Sequence, residues 1–352
     1  MTDVAHRPVA AMAGGGLYNR HSGLQQANLQ SALPLLEAAA RSIGARSHGP
    51  VTIVDYGASQ GRNSMVPMGS AIDLVRVGDG SRAVQIVHTD LPSNDFASLF
   101  AVLDHDPASY MAGRDGIYPS AIGRSYFDQI LPASSVDIGW SSNALHWMSH
   151  SPVAVDDHGW AIFSQSAEAR AAVDAVLADD WLRFLEARRA ELRPGGQLIC
   201  QFMGRGPDSH GFEWMAGHFW QSILSLREEG LLTMAETWRM TAPSAGRSIE
   251  QVAAPFASNG LPGLVIDHLS LVESPDPYWD AYVRTGDAAL LGRQWAAMMR
   301  AANGPNLIAA VDPSRDAAKL LDLLVDRLSA RIAADPQRSQ AFNILLAVRR
   351  DA

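Results

Sequence analysis

The stretch Val51–Asn63, with the sequence VTIVDYGASQGRN, decides the fold of this protein. It begins with a short apolar run of mainly β-branched residues, which is typical of a buried strand. Its two glycines permit a tight turn, and a helical pattern of apolar residues continues to Val77. A buried strand that turns directly into a helix indicates an open α/β sheet.

Five more apolar runs recur along the chain, each bounded by turn residues. They lie at 83–87, 136–140, 198–203, 264–272 and 342–348. Helical patterns separate these runs, among them 179–192 and 317–334. The alternation predicts a doubly wound, mainly parallel sheet with a C-terminal strand that can return antiparallel.

Two stretches interrupt the alternation, 151–180 and 204–263, and both are rich in Ala, Trp, Met and Phe. We interpret them as helical insertions over the carboxyl edge of the sheet, where open α/β sheets bind ligands. We predict that residues 1–150 form the domain part with the cofactor site and that residues 151–180 form a helical cap insertion. Residues 181–205 then supply a helix and a strand of the sheet, and residues 206–263 form a substrate cap. Residues 264–352 return to the sheet, with a cap contribution around 276–310.

Composition restricts the possible partners and locations. The 352 residues carry a formal net charge of −9, which argues against nucleic acid as a partner. Cys200 is the only cysteine, so an intramolecular disulfide is impossible. Residues 1–16 lack the apolar core of a secretory signal, and no run of about 18 apolar residues predicts a membrane span. We therefore expect a cytoplasmic protein that does not bind membranes.

The first strand-end loop does not match the common nucleotide motifs. Gly57-x-x-x-Gly61 is neither the dinucleotide pattern nor a P-loop. Asp55 and Asn63 can hold the amino and carboxylate ends of an amino-acid-like ligand, although an ordinary strand-to-helix turn explains the loop equally well.

The second strand ends in Asp90, which can accept both hydroxyls of a ribose or simply cap the turn that follows. Asp95, slightly downstream, fits a helix N-cap better than a ligand. Together with the first loop, Asp90 predicts a nucleoside cofactor.

Several segments carry a family resemblance. They are YNRHSGLQ at 18–25, DYGASQGRN at 55–63, DLPSNDF at 90–96, SYFDQILP at 125–132, SSNALHWMSHSP at 141–152 and LRPGGQLICQFMGR at 192–205. In content and order they resemble the SABATH family of carboxyl methyltransferases, which act on salicylate, benzoate, jasmonate and xanthine alkaloids. The resemblance implies a Rossmann-like class I methyltransferase sheet with a mainly helical cap, S-adenosyl-L-methionine as cofactor, and a homodimer.

The resemblance also implies functional residues. The implied cofactor contacts are Ser22, Gly57, Asn63, Asp90, Leu91, Ser125 and Tyr126, and we add Tyr18, Asp55 and Ser141 from the same motifs. Gln25 and Trp147 are implied to contact the substrate carboxylate, although alone they suggest a helix-surface residue and a core residue. Asn143 stands where many family members have an aromatic residue, so the resemblance does not identify the acid.

The predicted substrate pocket includes Asn143 and His146, and also Trp214 and Trp220 from an aromatic cluster that can equally be helix packing. His146 can contact substrate or be a satisfied histidine at the pocket edge. His146 and His150 lie four residues apart, but no third ligand is evident, so we predict no metal site.

The predicted function is transfer of a methyl group to a small, aromatic or apolar carboxylic acid, which gives its methyl ester. A carboxylic acid with a pKa near ~4 is already ionised at neutral pH, so the enzyme must supply position rather than a base. Two alternatives remain open: methylation of a ring nitrogen or phenol, and a non-catalytic methyltransferase-like scaffold. A nicotinamide oxidoreductase is disfavoured by the absent glycine pattern.

Overall fold

The computed structural model describes residues 9–46, 49–257 and 261–351. The prediction that residues 1–16 carry no secretory signal falls partly on residues 1–8, which lie outside this set. The strands are β1 Val51–Tyr56, β2 Val84–Asp90, β3 Ile117–Gly123, β4 Val136–Ser142, β5 Leu192–Gly204, β6 Leu264–Glu273 and β7 Phe342–Arg350.

Within the described residues these strands form one seven-stranded sheet in the order β3-β2-β1-β4-β5-β7-β6. The five strands β1 to β5 pair only in parallel with one another. Strand β7 is antiparallel to both β5 and β6. The chain order reverses between β1 and β4, and ligands of doubly wound sheets bind at the carboxyl ends of the strands beside such a switch point. The predicted fold class is confirmed.

The helices follow the predicted alternation. They are α1 Leu17–His21, α2 Gly23–Leu29, α3 Leu33–Arg46, α4 Met65–Val75, α5 Phe96–His105, α6 Ala167–Glu191, α7 Glu213–Glu228, α8 Met234–Arg239, α9 Ile249–Ala253, α10 Pro277–Thr285, α11 Ala288–Ala310 and α12 Ala317–Ala334. Asp95 is the N-cap of α5, as expected, and accepts a hydrogen bond from the Ser98 amide. None of the helices within the described residues has the length and apolar character that a membrane span needs.

Three apolar clusters hold these elements together. Helices α3, α4 and α5 pack on one face of the sheet. Helix α6 packs on the other face, where Trp181 and Phe184 are buried. A separate core joins the segment around Trp160 to α7, α11 and α12. This third core is the cap, and it lies beyond the sheet because its helices bury their apolar faces mainly against one another.

The structure adds elements that the sequence patterns did not reveal. Strand β3 was not predicted, because Pro119 interrupts its pattern; a proline is tolerated there because β3 is an edge strand. The predicted boundary at 180/181 falls inside α6, which is one continuous helix. Helices α10 and α11 occupy most of the expected cap contribution at 276–310.

Candidate active site

Two cavities lie side by side at the carboxyl edge of the sheet. The strand-end cavity, about 840 Å³ with its open mouth included, is lined by loops that follow β1, β2 and β4. The cap cavity, about 830 Å³, is lined by the cap helices and the start of β7. The residues that line both cavities are Met12, Tyr18, Asn143 and Trp147. The two cavities are therefore adjacent and share these four side chains as a common wall.

The loop after β1 approaches the strand-end cavity closely. Gly57 has a φ of 85°, and a Cβ at this position would lie 2.5 Å from the Ala144 Cβ. Ser59 also has a positive φ, and its backbone amide donates to Asp90 Oδ2 at 2.8 Å. The hydroxyl of Ser59 is buried without a hydrogen-bond partner among the described residues. The loop thus presents bare backbone and an unused polar group to a ligand.

Asp90, at the end of β2, is the acidic group of this cavity. Its Oδ1 accepts from the Leu91 amide at 2.8 Å. Burial raises the pKa of Asp90 to about 6, although the two backbone amides oppose the shift. Each carboxylate oxygen has lone pairs beyond these bonds, so Asp90 can accept hydrogen bonds from the hydroxyls of a bound ligand.

The wall opposite Gly57 is formed by Ser125, Tyr126 and Phe127. The Tyr126 hydroxyl donates to the Ala144 carbonyl at 3.0 Å, which leaves its ring as the cavity surface. Arg188 holds this segment from behind, because its guanidinium donates to the Tyr126 carbonyl at 2.7 Å and pairs with Glu191 at 2.9 Å. No sequence motif pointed to this buried ion pair.

The N-terminal segment crosses over the strand-end cavity. The Gly15 amide donates to Asp95 Oδ2 at 2.8 Å, and the Gln60 side chain donates to the Ala13 carbonyl at 2.5 Å. These bonds place residues 9–12 and Tyr18 in the cavity wall.

Four of the predicted cofactor residues do not line the strand-end cavity. Asp55 is buried beneath the loop, where it accepts from the Ser64 hydroxyl and lies 3.2 Å from His88 Nδ1. Ser141 is fully buried, and its hydroxyl donates to the Tyr56 carbonyl at 2.9 Å. Both side chains therefore support the strand ends rather than face a ligand.

Ser22 and Asn63 are the other two predicted cofactor residues that do not line the strand-end cavity. They lie side by side, with Ser22 Oγ 3.4 Å from Asn63 Oδ1, next to the loop but outside the cavity lining. The structure thus brings together Tyr18, Gly57, Asp90, Leu91, Ser125 and Tyr126 of the predicted cofactor residues.

Gln25, Asn143, His146 and Trp147, four of the residues predicted to bind substrate, line the cap cavity together. The remaining surface is largely apolar and includes Trp160, Met203, Phe212, Met215, Trp295, Met298 and Met299. None of the described residues that line it is Asp, Glu, Lys or Arg. A charged group in this cavity must therefore come from the ligand.

His146 is uncharged in this setting. Burial, and secondarily the nearby Arg247 guanidinium, lower the pKa of His146 to about 3. Arg247 also donates to the Leu145 carbonyl, while the His146 carbonyl accepts from the Ala245 amide at 2.9 Å. These bonds position the loop that carries His146 and Trp147, and no sequence motif pointed to Arg247.

Trp214 and Trp220, which we expected to bind substrate, do not line the cap cavity. The Trp214 indole donates to the Asp335 carbonyl at 3.1 Å, and Trp220 stacks against His158. Met215 is the residue of α7 that faces the cavity near these tryptophans. Successive helix residues point about 100° apart, so Trp214 and Trp220 face elsewhere.

Comparison with solved structures identifies the fold that carries these two cavities. The chain matches a solved structure of loganic acid methyltransferase with SAH, with a TM-score of 0.80 and 18% identity over 97% of this chain and 99% of that one. The fold is thus that of class I methyltransferases.

Sequence comparison is more specific. A family model described as SAM dependent carboxyl methyltransferase matches residues 8–351. The chain is 32% identical to methyltransferase LUC1 of a Fusarium species, over 72% of this chain and 68% of that protein. It is 27% identical to a probable jasmonic acid carboxyl methyltransferase 2 of Theobroma cacao, over 81% and 82%. The chain belongs to the family of S-adenosylmethionine-dependent carboxyl methyltransferases.

Proposed function

We propose that this methyltransferase converts a small, mainly apolar or aromatic carboxylic acid to its methyl ester, with the acid bound in the cap cavity. The observation that carries the proposal is the wall shared by the two cavities. Trp147 faces both cavities, and Gln25 faces the cap cavity beside it. A carboxylate bound at this wall is adjacent to a cofactor in the strand-end cavity.

The residues of the strand-end cavity fit S-adenosylmethionine, which supplies a methyl group on a sulfonium when bound. Asp90 suits the ribose hydroxyls, because charge-assisted hydrogen bonds to a partly buried carboxylate are stronger than bonds between neutral groups. Leu91, Ser125 and Tyr126 suit a flat base, and the bare backbone at Gly57 admits the chain that links the two ends. Roles for Ser22 and Asn63 at the methionine end stay predictions.

Neutral donors suit the carboxylate. Gln25 carries an amide N–H pair and Trp147 an indole N–H, and neither adds a charge. The carboxylate loses its negative charge as the ester forms, so a fixed cation would stabilise the bound acid more than the transition state. Gln25 and Trp147 can orient the acid oxygen toward the methyl group without that penalty.

The same cavity disfavours acceptors that must first lose a proton. With the pKa of His146 lowered to about 3, this side chain is a poor base at neutral pH. A phenol has a pKa near 10 and requires such a base, whereas an acid does not. The open strand-end cavity also argues against a non-catalytic scaffold, for which we expect a blocked cleft.

A methyl-acceptor screen tests the proposal. Purified enzyme with S-adenosylmethionine is given aromatic and aliphatic acids together with phenols and ring-nitrogen heterocycles of similar size. Methyl esters are the expected products, identified by mass spectrometry. Methylated phenols or heterocycles with no ester from any acid would contradict the assignment of the cap cavity.

The homodimer implied by the resemblance also stays a prediction, as does the cytoplasmic location. Sedimentation of the purified chain tests the first, and fractionation of the source cells tests the second.

A further inference from the structure

A chain of side-chain hydrogen bonds runs along the carboxyl edge of the sheet beneath the cap cavity. The side-chain Nδ2 of Asn143 donates to the backbone carbonyl of Gln25 at 3.0 Å and to Ser142 Oγ at 2.9 Å. Ser142 Oγ donates to Gln201 Oε1 at 2.9 Å. The Gln201 amide then donates to Asn343 Oδ1 at 2.7 Å. The chain joins α2 to the start of β7.

The direction of this chain is determined by its first member. A backbone carbonyl can only accept, so the nitrogen of Asn143 must face Gln25. Ser142 then accepts from Asn143, so its own proton is available only for Gln201 Oε1. Gln201 consequently presents its nitrogen to Asn343, whose oxygen faces Gln201. If the oxygen and nitrogen positions of the Gln201 and Asn343 amides were exchanged, Ser142 Oγ would accept two hydrogen bonds. Its own proton would then have no acceptor in this hydrogen-bond chain.

The result is a free donor at the end of the chain. Asn343 is 1% exposed and lines the cap cavity, and its Nδ2 has no hydrogen-bond partner among the described residues. A buried donor without a partner costs free energy, so native proteins rarely keep one without a reason. Because Gln201 holds the oxygen of the amide, Asn343 offers the cavity a donor of fixed orientation.

Asn343 enters the cap cavity from a different strand than the one that leads into Asn143 and Trp147. Gln201 pairs with Ser142 on one side, and Asn343 pairs with Met203 on the other. The Cα atom of Asn343 is therefore two strands from that of Ser142 and about two residues nearer the carboxyl edge, a Cα separation of roughly 10–12 Å. Gln25 lies on α2 and Trp147 in the loop after β4, whereas Asn343 lies on β7, so we assign Asn343 to a group of the ligand other than the carboxylate.

We propose that Asn343 is a specificity-determining residue that donates a hydrogen bond to a second oxygen of the acid, remote from its carboxylate. The preferred substrates are then keto acids, or acids with another hydrogen-bond acceptor, rather than plain hydrocarbon acids. This inference rests on the proposed function, because it takes the cap cavity as the acid site.

Matched pairs of acids test the inference. Octanoic acid is compared with a series of keto-octanoic acids, and phenylbutanoic acid with its ring-acetyl derivative. We expect at least one keto acid to exceed its parent acid by about tenfold in kcat/KM, since the parent leaves a buried donor unpaired. In Asn343→Leu the ratio of kcat/KM for the keto acid to kcat/KM for its parent acid should fall to about one.

Two further variants separate this role from a structural one. Asn343→Asp keeps the oxygen that accepts from Gln201 but replaces the donor by oxygen, so at pH 8 the keto preference should also disappear. Asn303→Leu makes the same change of side chain at another wall residue whose Oδ1 lacks a partner. The Asn303 Nδ2 is engaged with Met299 Sδ at 3.8 Å, so the free group that the variant removes is an acceptor, which a ketone cannot use. The ratio should therefore remain near that of the wild type.

The ratio within a pair is insensitive to the fraction of folded enzyme, because both acids meet the same preparation. Equal kcat/KM values for every keto acid and its parent would overturn the role of Asn343 while leaving the acid site in place. An unchanged preference in Asn343→Leu would overturn it as well. If no acid of the panel is esterified, the proposed acid site itself is wrong, and this inference with it.

Discussion

The two cavities differ in how they are built. The strand-end cavity takes Gly57, Ser59 and Asp90 from the ends of β1 and β2, where they stand in short sequence motifs. The cap cavity is assembled from distant parts of the chain, from Gln25 in α2 to Asn343 in β7. Both linings are mainly apolar, but the first is built largely from short segments at strand ends, whereas the second draws on segments spread across the chain. We infer that the first binds the cofactor common to the family and the second adapts to one acid.

The largest expected effect concerns Asp90. Asp90→Asn should weaken binding of S-adenosylhomocysteine on the order of 100-fold, because charge-assisted hydrogen bonds to a buried carboxylate are lost. Titration calorimetry measures the affinity, and thermal unfolding shows whether the variant is folded. As a control, Met299→Leu changes the cap cavity with little change of volume and should leave this affinity unaltered. Cofactor affinity within about twofold of wild type in a folded Asp90→Asn enzyme would contradict the assigned role.

Gln25 and Trp147 test the other cavity. Gln25→Leu and Trp147→Phe should each lower kcat/KM for an acid by about 10- to 100-fold, since each removes one donor to the carboxylate. Calorimetry should show that cofactor affinity changes little, because the Trp147→Phe enzyme keeps an aromatic wall. Gln26→Leu is the matched control, as Gln26 is the exposed neighbour of Gln25. A similar loss in the control variant would show that α2, rather than the Gln25 amide, is responsible.

The pH dependence of cofactor binding sharpens the contrast between the cavities. Burial raises the pKa of Asp90 to about 6, and protonation removes the charge that binds the hydroxyls. Cofactor affinity should therefore be constant above about pH 7 and fall below pH 6 by up to tenfold per pH unit. Calorimetry at several pH values measures the decline, which should vanish in Asp90→Asn. An equally steep decline in that variant would assign it to another group.

The smallest expected effect concerns Trp214, which lies outside the cap cavity. Trp214→Phe removes the bond to the Asp335 carbonyl and should cost about 1 kcal/mol of unfolding free energy. It should leave kcat/KM for an acid within about twofold of wild type. Chemical denaturation and steady-state assays measure the two quantities. A large fall in kcat/KM without a loss of stability would return Trp214 to the substrate site.

Most of the sheet was predictable from sequence because its central strands are buried on both faces and appear as continuous apolar runs. The run at Val51–Val54 and the later run at 342–348 correspond to β1 and β7. Strand β3 escaped prediction because an edge strand is half exposed and tolerates Pro119. The continuity of α6 across residue 180 was missed because an insertion and a sheet helix were assumed to be separate elements.

Some residues of the candidate site could likewise be predicted from sequence, and others could not. Residues at strand ends are adjacent in sequence to the strands that place them, so Gly57 and Asp90 could be predicted from their motifs. Arg188, Arg247 and Asn343 act through contacts with residues that are remote in sequence, and such contacts leave no local pattern. Trp214 was misjudged because helical periodicity shows which residues share a face but not which face meets a cavity.

The sequence by itself determined the parallel sheet and the family to which the chain belongs, because these depend on local apolar runs and short motifs. Only the tertiary structure decided which side chains line the cap cavity, that burial lowers the pKa of His146, and that Asn343 ends a hydrogen-bond chain with a free donor. The physical reason is that burial, pKa and hydrogen-bond direction are properties of a side chain's surroundings, and packing between distant segments creates those surroundings.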